Sequence, residues 1–298
     1  MSRESGNADA PALNIVGCGQ AAGSLVRLWL QVGAVRVGAV LNRSLQSSER
    51  AVQEIGAGTP VADLSGMGPA DVWLVGTGDD QIAAVAAALA GSGIALNDSL
   101  VFHLAGRFGL EVLGSLAGQG ALCAALHPVR SLTRAPLSIA EFSGTACVAE
   151  GSPDALERLE PLVTAIGGTW LPVRAIDRGL YHAAVSIVSN VTKGVAWKAQ
   201  TWLQHAGLPA TTASSVTHQL LATTMEDLFR SGARQSITGP VVRGDTRTIE
   251  AHLAALRASY PADVDVYRVL ARTVLELAQE RGDLEPATLE RFVALFRN

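Results

Sequence analysis

Two glycines and an alanine at a recognisable spacing stand at the start of the first helical pattern in the chain. Gly17, Gly19 and Ala22 fit G-x-G-x-x-(G/A), directly after the apolar run 13–16 and at the opening of a helical pattern over 21–32. Gly17 permits a tight turn, Gly19 lets backbone approach a pyrophosphate, and the helix N-terminus offers free N–H groups. This spacing predicts a dinucleotide site, with a glycine turn that binds no nucleotide as the alternative. The candidate contacts are Gly17, Cys18, Gly19, Gln20 and Ala21.

The residues after the second predicted strand indicate which dinucleotide would bind. An NAD-binding protein usually carries Asp or Glu there to hold the ribose diol, whereas this chain has Asn42-Arg43-Ser44. Arg43 can make a bidentate contact to a 2′-phosphate, and Asn42 and Ser44 add neutral donors. NADP is therefore favoured over NAD, unless Arg43 is a solvated turn residue. Further cofactor contacts are predicted at later strand ends, at Gly76, Thr77 and Ala105.

A long helical pattern over 178–205 carries an unusual polar face. At about 100° per residue, six hydrogen-bonding side chains fall within a ~100° arc. They are His182, Ser186, Ser189, Asn190, Lys193 and Trp197. We expect Lys193, with His182 as its competitor, to move the proton that accompanies hydride transfer, and Asn190 to polarise the reacting group. A solvated face is the alternative, and the opposite arc, which includes Ile187, Val188 and Val191, is predicted to be core.

Four further residues are candidates for substrate contact. His103 and His127 stand near the ends of two predicted strands, where open α/β sheets bind ligands, although each could equally be a structural histidine. Ser189 belongs to the polar face of the long helix. Arg243 lies in an interhelical turn, where it would bind a substrate carboxylate or form a salt bridge, and Asp245 is suited to cap the next helix.

The elements that must position these residues change character near residue 174. Strand and helix patterns alternate up to that point, which is typical of a parallel sheet, and long helical patterns follow. The predicted strands are 13–16, 35–41, 71–75, 100–104, 121–126, 145–149 and 169–173. The predicted helices of the second part are 178–205, 210–231, 246–259, 264–281 and 286–296. The chain is therefore predicted to be an α/β protein with a Rossmann dinucleotide-binding domain at 11–174 and an all-α domain at 175–298.

Composition limits the kinds of partner. The 298 residues are 48% hydrophobic and 17% charged, with a formal net charge of −4 and no block of like charges, which argues against a nucleic-acid or anionic-membrane surface. The three cysteines form no CxxC pair or His/Cys cluster, so we expect no metal and no disulfide. No apolar run approaches the ~20 residues of a membrane span. We expect a soluble, cytoplasmic protein with a small-molecule substrate.

Five motifs in this order resemble one family. They are GCGQAAG at 17–23, HLAG at 103–106, LHPVRSL at 126–132, RGLYHAAVSIVSN at 178–190 and TGPVVRGDTRTIEAHL at 238–253. The order resembles bacterial Rossmann-like proteins with a C-terminal helical domain of unknown function. Those proteins are similar to the 6-phosphogluconate dehydrogenase-like superfamily, which includes pyrroline-5-carboxylate reductase, ketopantoate reductase and the β-hydroxyacid dehydrogenases.

The resemblance implies an NADP oxidoreductase that dimerises through its helices, including the face of Trp202 and Leu203. It also implies signature positions at Tyr181, His182, Ser189, Asn190, Thr238, Pro240, Arg243 and Asp245. Two positions depart from the related patterns. Asn190 precedes Lys193 by three residues, whereas β-hydroxyacid dehydrogenases have Lys followed four residues later by Asn, and Ala105 stands where the family often has Ser.

Together these features predict an NADP-dependent oxidoreductase. It would transfer a hydride to or from a small carbonyl, imine or hydroxy-acid substrate in a cleft between the two domains. One alternative is a regulatory or scaffold protein that binds NADP without catalysis. Another is a protein similar to prephenate dehydrogenases, suggested by His127-Pro128, with an anionic ring substrate.

Overall fold

The computed structural model describes residues 9–133 and 135–297. The chain divides into two compact units, the first ending at Lys193 and the second beginning at Gly194. The strands are β1 (Ala12–Val16), β2 (Arg36–Leu41), β3 (Thr59–Val61), β4 (Val72–Val75), β5 (Leu100–His103), β6 (Leu122–Pro128), β7 (Ala146–Gly151) and β8 (Thr169–Pro172). All of them lie in the first unit, and the second unit is helical, which confirms the predicted α/β architecture followed by an all-α region.

The helices of the first unit alternate with its strands as far as α6. They are α1 (Gln20–Gln31), α2 (Leu45–Ile55), α3 (Ile82–Ala90), α4 (Gly114–Ala117), α5 (Ile139–Phe142), α6 (Pro153–Ala165) and α7 (Arg178–Ser186). Short 3₁₀ turns occur at Leu64–Gly66, Asp79–Gln81 and Leu110–Leu113. A π-helical segment, Ile187–Val191, follows α7.

The eight strands form one sheet in the order β3-β2-β1-β4-β5-β6-β7-β8. Neighbouring strands are parallel from β3 to β6, β7 runs antiparallel to β6, and β8 is parallel to β7. The strand order reverses between β1 and β4, which is the switch point where open α/β sheets bind their ligands. The carboxyl ends of β1, β4, β5 and β6 therefore lie along the same edge.

Helices cover both faces of the sheet, so its central strands are buried on both sides. Alternate residues of a strand point to opposite faces, and Ile15 and Leu74 accordingly belong to one core cluster while Val16 and Trp73 belong to the other. Helix α1 packs on the first cluster through one buried side. This packing holds the N-terminus of α1 against the end of β1.

The long helix predicted at 178–205 is not a continuous α-helix. Helix α7 ends at Ser186, the π-helical segment occupies Ile187–Val191, and α8 begins at Thr192. A π turn contains an extra residue, so side chains beyond it no longer follow the α-helical spacing on which the polar face was predicted. The prediction that the opposite arc is core was also wrong. Ile187 and Val188 are 61% and 77% exposed, because nothing in the described chain covers them.

The second unit packs six helices around an apolar core. These are α8 (Thr192–His205), α9 (Ala210–Ser231), α10 (Ala233–Ser236), α11 (Thr246–Ser259), α12 (Val264–Arg281) and α13 (Pro286–Phe296). Phe292 and Phe296 are fully buried in this core. Buried Asp263 accepts hydrogen bonds from Lys198 Nζ at 2.6 Å and Trp202 Nε1 at 3.1 Å. The indole nitrogen of Trp202 is therefore engaged within its own unit, and the dimer face predicted at Trp202 and Leu203 stays a prediction.

Across the residues that the structure describes, we find no helix with both the length and the apolar character needed to cross a bilayer.

Candidate functional site

The first part of the site is a turn built from backbone against backbone at the ends of β1 and β4. Gly17 has φ +86°, and a Cβ there would lie 2.5 Å from the backbone nitrogen of Thr77. A Cβ on Gly76 would lie 2.4 Å from the carbonyl oxygen of Gly17 and 2.6 Å from Cβ of Ala22. Only glycine fits at either position, so both glycines are needed to bring helix α1 down onto the sheet edge.

The N-terminus of helix α1 is open to an anion. Gly19 is the N-cap residue, no side chain among the described residues accepts a hydrogen bond from the first turn, and that turn carries no acidic residue. Gly19 and Gln20 are exposed. Burial raises the pKa of the Cys18 thiol to about 11, so this neighbour adds no negative charge at neutral pH. Free N–H groups and the positive end of the helix dipole suit a pyrophosphate, and the cradle therefore fits a dinucleotide.

At the end of β2, the three predicted ribose contacts have different positions. Asn42 Oδ1 accepts from the Cys18 amide at 2.8 Å, and Asn42 Nδ2 donates to the carbonyl of Ser47 at 2.9 Å. Asn42 therefore positions the glycine turn, and both ends of its side chain are engaged. Ser44 caps helix α2 through a reciprocal pair of hydrogen bonds with Ser47. The Arg43 side chain is exposed and has no hydrogen bond or ion pair to any residue the structure describes.

His103 at the end of β5 is fully buried, and both of its ring nitrogens are engaged. Nδ1 accepts from the Ala105 amide at 3.1 Å, and Nε2 lies 2.9 Å from the carbonyl oxygen of Gly109. Since Nδ1 is the acceptor, Nε2 carries the proton and donates. Burial lowers the pKa of His103, in keeping with a neutral ring. These contacts hold the turn after β5 in place and favour the structural alternative for His103.

A cluster of His127, Tyr181 and His182 lies beside the same turn, and we call it the His–Tyr–His cluster. His127 Nδ1 and Tyr181 Oη are 2.7 Å apart, and their rings meet edge to face. The rings of His127 and His182 have centroids 6.3 Å apart. A Cβ on Gly106 would lie 2.9 Å from Cε1 of His127 and 3.0 Å from Cδ2 of His182. Both imidazole rings can therefore lie against the backbone of Gly106 because this residue has no side chain.

The environment keeps the cluster uncharged at its centre. Burial, followed by the electrostatic influence of His182 and Arg178, lowers the pKa of His127 to about 4. Burial raises the pKa of Tyr181. At neutral pH, His127 is therefore a neutral imidazole and Tyr181 a protonated phenol. Buried Arg178 donates from Nε and Nη2 to Glu150 Oε2, at 2.9 and 2.6 Å, and its guanidinium lies 5.9 Å from the centroid of the Tyr181 ring.

The remaining predicted residues lie outside this cluster. Lys193 Nζ donates to Ser131 Oγ at 3.1 Å, and Ser189 Oγ donates to the carbonyl of Val185 at 2.9 Å. Asn190 is exposed. Arg243 lies in the second unit, exposed, in the turn before α11. Its neighbour Asp245 caps α11 by accepting from the Thr248 amide at 3.1 Å, which confirms that prediction.

Residue patterns alone did not select Tyr181 as a site residue. It lies one position before His182, so helical spacing puts it about 100° away from the predicted polar face. Its partner His127 is 54 positions earlier in the chain. The sequence did contain a signal for Tyr181. This residue stands directly before the candidate His182, in one of the motifs that carry the family resemblance.

Comparison with known proteins relates each half of the chain to a domain family. The model of a Rossmann-like domain matches residues 4–128, and that of DUF2520, a domain of unknown function, matches residues 145–274. No curated protein matches the sequence.

Several solved structures share the fold across most of the chain. A Bacteroides fragilis protein provisionally named an NADP oxidoreductase has 21% identity and a TM-score of 0.70, over 90% of this chain and 98% of its own. Protein TM1727 from Thermotoga maritima has 22% identity and a TM-score of 0.68, over the same shares. An imine reductase from Myxococcus stipitatus in complex with NADP⁺ has 15% identity and a TM-score of 0.59, over 95% of this chain and 100% of its own. The chain thus joins an N-terminal Rossmann-like domain to a C-terminal domain of the DUF2520 family.

Proposed function

We propose that this protein is an NADPH-dependent reductase of a small carbonyl or imine compound, with oxidation of the corresponding hydroxy compound as the reverse reaction. The proposal rests on the observation that the N-terminus of α1 and the His–Tyr–His cluster lie at the same edge of the sheet. The open N-terminus of α1 follows β1, and the His–Tyr–His cluster lies at the ends of β5 and β6. Strand β6 is three positions from β1, which corresponds to roughly 14 Å at ~4.8 Å per strand. A dinucleotide bound across the switch point would extend along this edge.

The preference for the phosphorylated cofactor rests on the end of β2. Asn42 is engaged in holding the glycine turn, so Arg43 is the residue there with an unengaged charged side chain. Helix α2 begins two residues after Arg43, so its N-terminus lies next to this side chain in sequence. A guanidinium and a helix N-terminus both favour a 2′-phosphate. The name of the Bacteroides fragilis protein and the NADP⁺ complex of the imine reductase support this preference.

The chain's own residues would divide the work between binding and proton transfer. Gly17, Gly19 and Gly76 shape the cradle for the pyrophosphate, and bound NADPH would supply the hydride. The sequence assigns the proton to Lys193 or His182 and the polarising contact to Asn190, and these assignments stay predictions. His182 is the member of this set that lies in the His–Tyr–His cluster.

Single-turnover oxidation of bound NADPH tests the function. The protein, loaded with NADPH, is mixed with a panel of cyclic imines, 2-oxo acids and aldehydes, and loss of the reduced cofactor is followed with time. We expect rapid oxidation by at least one class of compound. Tight NADPH binding without oxidation by any of them would instead support a protein that only binds the dinucleotide.

We also propose that the protein is a homodimer assembled through its long helices. Large apolar side chains remain exposed on α9, where Leu220 is 64% and Phe229 is 83% exposed. Val188, in the π-helical segment, is exposed as well. Val216, which is 40% exposed, lies one turn before Leu220 on the same side of α9. Exposed apolar side chains in this arrangement are typical of surfaces that a second copy covers.

A further inference from the structure

The hydrogen bond between His127 and Tyr181 joins strand β6 to helix α7, the helix that also carries His182. His127 lies near the carboxyl end of β6, and Tyr181 is in the first turns of α7. Both side chains are half-buried, so the pair is neither sealed in the core nor fully solvated. The 2.7 Å contact fixes the phenol oxygen at the edge that carries the dinucleotide cradle.

We propose that the Tyr181 hydroxyl is the proton donor of the reduction and that His127 positions it. This inference rests on the proposed reductase function. Lys193, the donor that helical spacing favoured, is exposed and hydrogen-bonded to Ser131. The Tyr181 hydroxyl, in contrast, is held by an imidazole whose own place is set by the turn at Gly106.

The donor role requires a particular tautomer of His127. With its proton on Nδ1, His127 donates to Tyr181 Oη and leaves the hydroxyl proton free to face a substrate. The same N–H would stabilise negative charge that develops on Oη. The positive guanidinium of Arg178, 5.9 Å from the ring, favours that charge, while Glu150 offsets part of the effect. His182 is the other titratable group that faces His127 from α7.

The step balances with the named reductant. The carbon of the substrate C=N or C=O takes the hydride, two electrons with it, from NADPH, which is oxidised. The substrate nitrogen or oxygen forms its new bond to the proton of Tyr181 as the phenolic O–H bond breaks. The tyrosinate that remains takes a proton from water when the product leaves, because Tyr181 is only half-buried.

A second His–Tyr pair in the chain provides a matched control. His252 Nδ1 and Tyr267 Oη are 2.8 Å apart, and their rings also meet edge to face. This pair joins α11 to α12 in the second unit and includes no residue of the sheet or of the His–Tyr–His cluster. Tyr267→Phe therefore deletes the same hydroxyl from the same kind of pair outside the proposed site.

The test compares Tyr181→Phe and Tyr267→Phe with the wild type in NADPH affinity and in single-turnover rate on the substrate panel. We expect Tyr181→Phe to lower the rate by on the order of 10²–10⁴-fold, with NADPH affinity unchanged, and Tyr267→Phe to keep the full rate. A full rate in Tyr181→Phe, while the wild type oxidises NADPH, would overturn the donor role and leave the reductase function standing. A wild type that oxidises no NADPH would reject the reductase function and the donor role with it.

A spectroscopic measurement tests the arrangement without turnover. Nitrogen NMR of labelled histidine in the NADP⁺-bound protein reports which nitrogen of His127 carries the proton. We expect the Nδ1–H tautomer in the wild type and a changed Nδ1 signal in Tyr181→Phe. An Nε2–H tautomer that accepts the Tyr181 proton on Nδ1 would contradict the proposal, because the hydroxyl would then be turned away from substrate.

Discussion

At the scale of single residues, Gly106 shows how a missing side chain sets the geometry of a site. Its Cα faces the edges of two imidazoles, with room for hydrogen only. Gly106→Ala would push His127 and His182 outward by a few tenths of an ångström or more. Because displacements near 1 Å can cost about 10²-fold in rate, we expect a loss on the order of 10-fold to 10²-fold in single-turnover NADPH oxidation.

Gly114→Ala is the matched control for this substitution, because a Cβ on Gly114 meets no atom within 4 Å. We expect this variant to keep the wild-type rate and melting temperature. Equal rates in Gly106→Ala and Gly114→Ala would show that the imidazoles need not be held where they are.

Arg43 carries the prediction on cofactor choice. Its guanidinium has no hydrogen bond or ion pair within the described part of the chain, so it can make a charged hydrogen bond to a 2′-phosphate, typically worth about 1.5–3 kcal/mol. Arg43→Ala should therefore narrow the affinity gap between NADPH and NADH by about 10-fold to 150-fold in calorimetry. Arg50→Ala, an exposed arginine on helix α2, should leave the gap unchanged. Equal affinity of the wild type for the two cofactors would reject the prediction.

His127 links the site to the pH dependence of folding. Its pKa is about 4 in the folded chain and 6.5 ordinarily, so between these values the unfolded chain binds a proton that the folded chain does not. The contribution of His127 to the free energy of unfolding is therefore fully present above pH 6.5 and is lost as the pH falls toward 4, by about 3 kcal/mol in total. Urea unfolding at a series of pH values should show this loss, and His127→Gln should reduce it. His218→Gln, an exposed histidine on α9, should follow the wild type, and an identical loss in His127→Gln would contradict the assignment.

At the scale of elements, the sequence predicted the long helices of the second part well. The ranges 210–231, 246–259, 264–281 and 286–296 coincide with α9, α11, α12 and α13. Their ends carry local signals, such as the Asp245 cap and the left-handed Gly282 after α12. Such signals act within a few residues, which is why a single sequence contains them.

Features that depend on distant parts of the chain escaped prediction. Strand β3 has three residues, one of them Pro60, so it is too short to show alternation. The π-helical segment Ile187–Val191 differs from an α-helix in its backbone hydrogen bonds, and no side-chain pattern in the sequence indicates it. The glycine turn was found because its chemistry is local, whereas the His127–Tyr181 pair joins residues 54 apart and follows from the packing of α7.

Buried Asp263 provides a charged partner for Lys198 of helix α8. Lys198 lies on the apolar side of the predicted helix, and in the structure it pairs with buried Asp263, which also accepts from Trp202. The hydrogen bonds from Lys198 and Trp202 lower the pKa of Asp263, so the stability it contributes is present at neutral pH and lost as the pH falls through the folded pKa.

Asp263→Asn should therefore lower the melting temperature at neutral pH and flatten its dependence on acid. Asp265→Asn is the matched control, because Asp265 is 74% exposed in its pair with Arg268. A melting temperature that falls equally in the two variants would show that the buried pair contributes no more to stability than the exposed pair does.

At the scale of the whole molecule, the exposed apolar side chains of α9 carry the prediction of a dimer. Light scattering at micromolar concentration should give twice the 30.9 kDa mass of the chain. Replacing both Val216 and Leu220 by Glu should shift the protein toward monomer, because two charges would be buried at the interface. Ser215→Glu, at an exposed residue of the same helix about 140° around from Leu220, should leave the dimer intact. A monomeric wild type would reject this assembly.

Isotope transfer from the cofactor tests the reductase function and the role of Tyr181 in one experiment. NADPH that carries deuterium at the transferable position of its nicotinamide is incubated with the protein and the panel of cyclic imines, 2-oxo acids and aldehydes, and products are analysed by mass spectrometry. We expect the wild type to form a product with one deuterium on the former C=N or C=O carbon, and Tyr181→Phe to form much less of it. Tight binding of NADPH with no deuterium in any product would contradict the reductase function.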